Sequence, residues 1–210
     1  MGFGKLTPEM RLEHPFCIVD QAFAPALCER VVELGQSIEP MAAEVARDPT
    51  NSVRDSTVAW IAQSPDTAAW LYDAVDQLVQ ATNARLWKWR LSTVESMQFT
   101  VYGRDQYYEW HADQRKRPYP DDDPRWPGLV RKLSVTINLT AGESYDGGDF
   151  MVETLNATPD DTDRRLRTLT EARGLGAAII FPSHLFHRVT PVTAGTRRSL
   201  VGWFLGPPFA

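Results

Sequence analysis

The segment QYYEWHAD, residues 106–113, carries an imidazole and a carboxylate two positions apart, His111 and Asp113. On an extended strand residues i and i+2 project from the same face, so the two groups can converge on one point. A His-x-Asp pair alone is common and says little. Its company says more. His187 follows 76 residues later, Arg197 comes ten residues after that, and Ser199 two further on. Two histidines and one carboxylate are the donor set that holds non-haem Fe(II) and leaves three coordination positions open. A 2-oxo acid can chelate two of those positions through its keto and carboxylate oxygens. Its far carboxylate then needs a planar, bidentate cation and a hydroxyl donor, which Arg197 and Ser199 provide.

The elements that must position these groups are strands. In IIFPSHLFHRVTPVTAGTRRSLVGWFL, residues 179–205, an apolar run is followed by His187, by the turn-forming Ala194 and Gly195, and by another apolar run. The pattern predicts a β-hairpin with His187 opposite Val201 and Pro191 opposite Arg197. His187, Val189, Arg197, Ser199 and Trp203 then share an inner face, and Arg188 and Arg198 point away. Upstream, residues 1–12 are expected to be an extended lead-in and 16–19 a short strand. A helix is expected over 26–36, with Pro25 in its first turn and Gly35 closing it. Residues 38–52 read as irregular, and 52–61 as one strand bearing Arg54 and Ser56. A second helix has Ser64 as its cap and Pro65 at its first position. Leu71, Val75 and Leu78 form its apolar stripe, and it ends near Asn83. Strands follow at 95–102 and 131–140, and another at 149–154 enters from a tight turn at 146–148. The proline-rich, charged segment 114–130 is either a lid or a solvated connector. Residues 156–174 read as a polar insertion with one short helix.

The ordered set His-x-Asp, Gly147-Gly148, distal His, Arg-x-Ser resembles the Fe(II)/2-oxoglutarate-dependent dioxygenases, and among them the prolyl 4-hydroxylase-like branch. The resemblance covers residues 97–205. It implies a double-stranded β-helix, or jelly roll, mainly β with supporting helices, over one domain spanning 1–210. Residues 1–93 would be helical support and first strands, and 94–205 the catalytic core. It implies that His111, Asp113 and His187 ligate iron and that Arg197, Ser199 and Tyr102 bind 2-oxoglutarate. Tyr108, Trp203, Arg54 and Arg131 would contact substrate. Implied cofactors are Fe(II), 2-oxoglutarate as cosubstrate and O2, with ascorbate as a stimulant. The implied reaction couples oxidative decarboxylation of 2-oxoglutarate to hydroxylation of an unactivated C–H bond. The chain departs from the pattern at Asp105, where many relatives have glycine. It has arginine at 197, where animal and plant prolyl hydroxylases usually have lysine. Asp113 is present, unlike in halogenating relatives, and position 203 is Trp rather than the second arginine of DNA-dealkylating ones.

Bulk properties agree. A net charge of -5 over 210 residues, 43% of them hydrophobic, argues against a general nucleic-acid binder, although such an average would hide a local basic patch, and allows a full core. No apolar run approaches the ~20 residues that cross a bilayer, and no leader precedes Cys17 and Cys28, two thiols read as small buried hydrophobes. A soluble cytoplasmic protein is expected, with neither membrane nor nucleic acid as partner. His14 reads as a surface residue and His184 as a loop residue near the site mouth. Arg54 has two readings, a surface salt bridge or a substrate contact. Three functions stay open: hydroxylase of a prolyl peptide or protein residue, hydroxylase of a free amino acid or other small metabolite, and a non-redox jelly-roll module that binds a metal or oxo acid.

Overall fold

Alternating side chains lay the chain out as fifteen short strands and two helices among the residues that the computed structural model describes, 13–42, 53–154 and 166–209. In order these are β1 (Cys17–Val19), α1 (Pro25–Gln36), β2 (Met41–Ala42), β3 (Arg54–Asp55), β4 (Thr57–Ile61), α2 (Ala69–Leu86), β5 (Thr93–Val94), β6 (Met97–Tyr102), β7 (Tyr107–His111) and β8 (Val130–Asn138). They continue as β9 (Tyr145–Gly147), β10 (Phe150–Glu153), β11 (Leu166–Thr168), β12 (Ala178–Pro182), β13 (His187–Val189), β14 (Val192–Gly195) and β15 (Arg197–Gly206). The larger sheet runs β1-β12-β8-β15-β6-β4-β2, with β5 also on β15, and the smaller runs β11-β10-β13-β7-β3. All pairings are antiparallel, and a two-stranded ribbon of β14 and β9 joins them. The two sheets face one another as the predicted jelly roll.

The central strands of the larger sheet have two unlike faces. Met97, Phe99, Leu133, Val135, Ile137, Leu200 and Phe204 point outward into one apolar cluster with Val31 of α1 and with Leu71, Val75 and Val79 of α2. The helices buttress this sheet as expected. The intervening residues point inward, and the register stacks them in rows: Tyr102 beside Arg197, Thr100 beside Ser199 and Asn138, Gln98 beside Val201 and Thr136.

Several expectations are corrected. Residues 179–205 form no hairpin, because β13 pairs with β10 and β7 while β15 pairs with β6 and β8, in opposite sheets. The odd-numbered residues still share an interior, since the sheets face each other across it. Residues 54–61 likewise divide at Ser56 between the smaller sheet (β3) and the larger (β4). The turn at Gly147 and Gly148, both at positive φ, leads from the β9 ribbon into β10, which pairs with β11 and β13 and not with β8. Gly35 does not close α1. It lies inside the helix, where an added Cβ would sit 2.3 Å from the Phe99 ring, so its lack of a side chain is what lets helix and sheet touch. Ser37 ends that helix, its hydroxyl donating to the Leu34 carbonyl at 2.7 Å. The second helix begins at Ala69, with Ser64 a turn earlier, and continues to Leu86. Asn83 does not end it, but its side chain ties the following loop to the helix through the Trp89 backbone. The predicted lead-in at 1–12 and most of the 38–52 and 156–174 calls fall outside the described residues. Of the last, 166–168 is a strand and Thr170–Ala172 a 3-10 turn.

Candidate active site

Each candidate side chain owes its place to an inward strand position. His111 ends β7 and His187 begins β13, and the two lie directly opposite in the ladder. Their rings are 4.1 Å apart. Asp113 is not on the strand, as the spacing predicted, but in the bend just past it. It reaches the same point: its two carboxylate oxygens are each 3.8 Å from one histidine Nε2, Oδ1 from His111 and Oδ2 from His187. One donor atom from each residue lies within 4.8 Å of the others.

Three observations test whether this set fits a divalent metal. His111 Nδ1 is 2.7 Å from the Glu109 carbonyl oxygen and His187 Nδ1 is 2.9 Å from that of Leu185. A carbonyl only accepts, so Nδ1–H is the donor in each ring and Nε2 is the nitrogen turned toward the shared point. Burial and the neighbouring His187 push the His111 imidazole down to about 4, which keeps it neutral and able to ligate. Burial works against ionising Asp113, but His187, His111 and Arg131 outweigh it and hold the carboxyl below its ordinary value. Asp113 Oδ2 is buried with no hydrogen-bond partner. An ionised buried oxygen without a donor is costly unless a cation meets it. Two imidazoles with Nε2 turned inward and one carboxylate are the donors that suit Fe(II).

The aromatic surroundings hold these groups still. Tyr108 stacks on His111 with centroids 3.5 Å apart, while Phe150 and Phe181 pack on His187 at 5.2 and 4.7 Å. Burial pushes the Tyr108 phenol up to about 12, so it stays protonated. Across the interior on β15, Arg197 is 4% exposed. Its Nη1 donates to Ser199 Oγ at 3.4 Å and its Cζ lies 5.6 Å from the Tyr102 ring centre. No carboxylate of the described residues forms an ion pair with it, and a buried guanidinium in that position calls for an anion.

One cavity joins the groups. His111, Asp113, His187, Tyr102, Arg197, Ser199, Tyr108, Trp203 and Arg54 all line it. Arg131 does not. Its guanidinium donates to both Glu95 oxygens, at 2.7 and 2.6 Å, and to the Asp113 carbonyl at 3.2 Å, while covering the Trp203 ring at 4.2 Å. Glu95 also accepts from Tyr119 Oη at 2.9 Å, and this bond fastens the 114–130 segment to the back of the site. His184 is outside the cavity lining, 6.4 Å from the Trp89 ring. His14 is half-buried, its carbonyl accepting from Trp87 Nε1 at 2.8 Å. Cys28 is buried and Cys17 partly so, both as free thiols. Asp105 adopts φ 65°, so the left-handed backbone that glycine favours is kept by a residue type that tolerates it. Sequence reasoning missed Gln98, Thr136, Phe150 and Phe181 in the lining, and Glu95 behind it. The available signal was the alternation of β6, β8 and β15, which places polar residues on the buried face of a sheet.

Among the described residues no helix is long and apolar enough to cross a membrane. In comparisons with known proteins, the PKHD-type hydroxylase YbiX of Escherichia coli is 31% identical over 146 residues, covering 67% of this chain and 58% of the relative. The chain spans about half the length of the curated relatives it matches. A prolyl-4-hydroxylase of Pseudomonas putida superposes with a TM-score of 0.64 at 21% identity, covering 91% of this chain and 92% of that one. A Trichoplax adhaerens prolyl hydroxylase in complex with a hypoxia inducible factor peptide fragment gives 0.66 at 19% identity, covering 91% and 84%. These two likenesses show the jelly-roll fold. The sequence model of the 2OG-Fe(II) oxygenase superfamily matches residues 97–205. That match spans more than half of the chain and takes in every ligand candidate, so the protein belongs to the 2OG-Fe(II) oxygenase superfamily.

Proposed function

We propose that this protein is a Fe(II)- and 2-oxoglutarate-dependent hydroxylase of an aliphatic C–H bond, carried by a prolyl peptide or protein residue. The observation that carries the reading is the placement of two complementary demands in one cavity. A carboxylate and two imidazoles converge from the smaller sheet and the bend after it, and an unpaired buried guanidinium answers them from the larger. The prolyl substrate is supported by the likeness to prolyl hydroxylases, one of them with a peptide bound.

His111, Asp113 and His187 are the residues that would hold iron, and Arg197, Ser199 and Tyr102 the far carboxylate of 2-oxoglutarate. When bound, iron and the oxo acid supply the capacity to activate O2 and oxidise a C–H bond, with ascorbate serving to restore Fe(II). The chain's own residues orient and shield. Tyr108, Phe150 and Phe181 keep the imidazole planes fixed and exclude water. Arg131, itself held by Glu95, fixes the Asp113 backbone. Trp203 and Arg54 line the space left for substrate.

The test is an anaerobic titration of metal-free protein with Fe(II) and then 2-oxoglutarate, followed by the visible charge-transfer absorption of a chelated oxo acid. The band is expected only with both present and is expected to be lost in Arg197→Ala at the same concentrations. Folded, iron-loaded protein that gives no band overturns the proposal. Succinate release driven by prolyl peptides then tests the substrate.

A further inference from the structure

We infer that the substrate presents a carboxylate to Arg54, so that the hydroxylated residue is a free amino acid or the C-terminal residue of a peptide. The inference rests on the Fe(II)/2-oxoglutarate hydroxylase reading above, and in place of an internal prolyl residue it puts a substrate whose own carboxylate is recognised.

Arg54 sits on the edge strand of the smaller sheet, opposite Tyr108 in the ladder. Its Cζ is 4.5 Å from the Tyr108 ring centre, and Tyr108 in turn stacks on His111. The guanidinium is therefore separated from the first iron-ligand candidate by one phenol ring. Every hydrogen-bond partner it has among the described residues is neutral. Nε donates to Ser56 Oγ at 2.7 Å and Nη2 lies 3.4 Å from Thr100 Oγ1. The Gln98 amide oxygen, in the orientation that best satisfies that side chain, accepts from Nη2 at 2.9 Å and Nη1 at 3.2 Å. These dipoles hold the fork across the gap between the two sheets and leave its charge unbalanced.

Of the other partly buried arginines, Arg198 lies outside this cavity and, among the described residues, has no ion pair, while Arg188 lies 4.0 Å from Glu109. Arg131 meets Glu95, and Arg173 meets Asp149. In the cavity lining only Arg54 and Arg197 lack an acidic partner among the described residues. Arg197 is accounted for by the far carboxylate of the oxo acid. With Fe(II) balanced by Asp113 and the chelating carboxylate, one positive charge remains, and it is the guanidinium of Arg54. A second feature of the same cavity points the same way: Trp203 Nε1 is a buried donor without an acceptor. A cation and an unused donor on one lining select an anionic acceptor. Of the five guanidinium N–H groups, one on Nη1 is left uncommitted, and a carboxylate can meet it, whereas a larger oxyanion finds poor company in a single arginine beside neutral amide and hydroxyl groups.

The experiment uses iron-loaded protein with 2-oxoglutarate and measures succinate formation above the substrate-free rate. Three probe sets are compared: the common free L-amino acids, tripeptides ending in each amino acid with a free C-terminus, and the same tripeptides amidated. At least one carboxylate-bearing probe is expected to stimulate turnover, and its amide is expected to do so roughly 30-fold less well, the loss of one charged hydrogen-bond pair. Stimulation by the free amino acids or only by the tripeptide acids tells the two sources apart. In Arg54→Gln the KM for the active acid is expected to rise by a similar factor with kcat within about threefold, and Arg54→Lys to recover part of the loss. Neither change should alter the charge-transfer band formed with Fe(II) and 2-oxoglutarate, which also reports that the variants are folded. Equal turnover of acids and amides, or no active acid in any set while the band is intact, overturns the inference and leaves the hydroxylase reading standing. Absence of the band from the wild-type protein is the separate failure of that reading.

Discussion

The two faces of the central strands β6, β8 and β15 share a backbone and little else. The outer face is apolar and covered by helices, and the buried residues there include Phe99, Ile137 and Leu200. The inner face is as well hidden from solvent, yet it carries Gln98, Thr100, Ser134, Thr136, Asn138, Arg197 and Ser199, each at most 6% exposed. Burying polar groups costs free energy that apolar residues of similar volume would not. A fold that needed only stability would have an apolar inner face, as the cores between packed sheets do. The comparison therefore assigns the outer face to holding the sheet and the inner face to something that must be bound, and each assignment predicts what substitution does.

The sharpest separation is at the ligand set. Asp113→Ala and His187→Ala are expected to reduce turnover by at least about 10³-fold, because the metal loses a donor. For Asp113→Ala the melting temperature of metal-free protein is expected not to fall, since Asp113 Oδ2 has no hydrogen bond to lose. His187→Ala also loses the bond to the Leu185 carbonyl and packing on Phe150 and Phe181, and is expected to lower it modestly. Turnover assays paired with thermal melts in chelator read both. Full activity in either variant sinks the ligand assignment, and a collapse in stability would make the set structural.

Phe99→Ala on the outer face is expected to do the reverse. A buried phenylalanine cut to alanine costs about 3–5 kcal/mol, here at the contact where Gly35 meets the ring. The melting temperature should drop by about 10 °C, with kcat per folded molecule unchanged. Behind the cavity, Glu95→Gln removes the charge that balances Arg131, whose side chain is 18% exposed. Breaking a buried pair costs about 3–5 kcal/mol, and partial exposure lowers the expectation to about 2 kcal/mol, read as a shift in the denaturant midpoint. An unchanged midpoint would mean that solvent already screens the pair.

This division into faces also explains what could be read from the sequence. His-x-Asp, the distal histidine and Arg-x-Ser were legible because ligand order along the chain survives whatever the strands pair with. The partners of β13 and β15 were not. A hairpin and two facing sheets both bring odd-numbered residues to one interior, so side-chain alternation cannot separate them. Only hydrogen-bond register does, and it sets His187 against His111 rather than Val201. Arg131 was misjudged for a related reason: its place at the start of β8 was visible, but Glu95, which occupies it, lies 36 residues earlier and meets it only through the fold. Gly35 looked like a helix terminus because glycine commonly stands there, and nothing local reveals that a ring on another element needs the space.

The smallest expected effect tests the inner face most directly. Thr136 lies on β8 between the two halves of the interior, 6% exposed, and lines the cavity. Valine has nearly its shape, so Thr136→Val exchanges one hydroxyl for a methyl group without opening a hole. If inner-face polarity serves a ligand, the substitution should leave stability within about 0.5 kcal/mol or raise it, because a buried hydroxyl is replaced by an apolar group. The affinity for 2-oxoglutarate, followed through the charge-transfer band, should fall by roughly threefold, the loss of one modest polar contact. A fall of several degrees in melting temperature with unchanged affinity would say that the hydroxyl is part of the scaffold. The inner face would then be a polar core that holds itself together, and the contrast with the outer face would be one of composition and not of purpose.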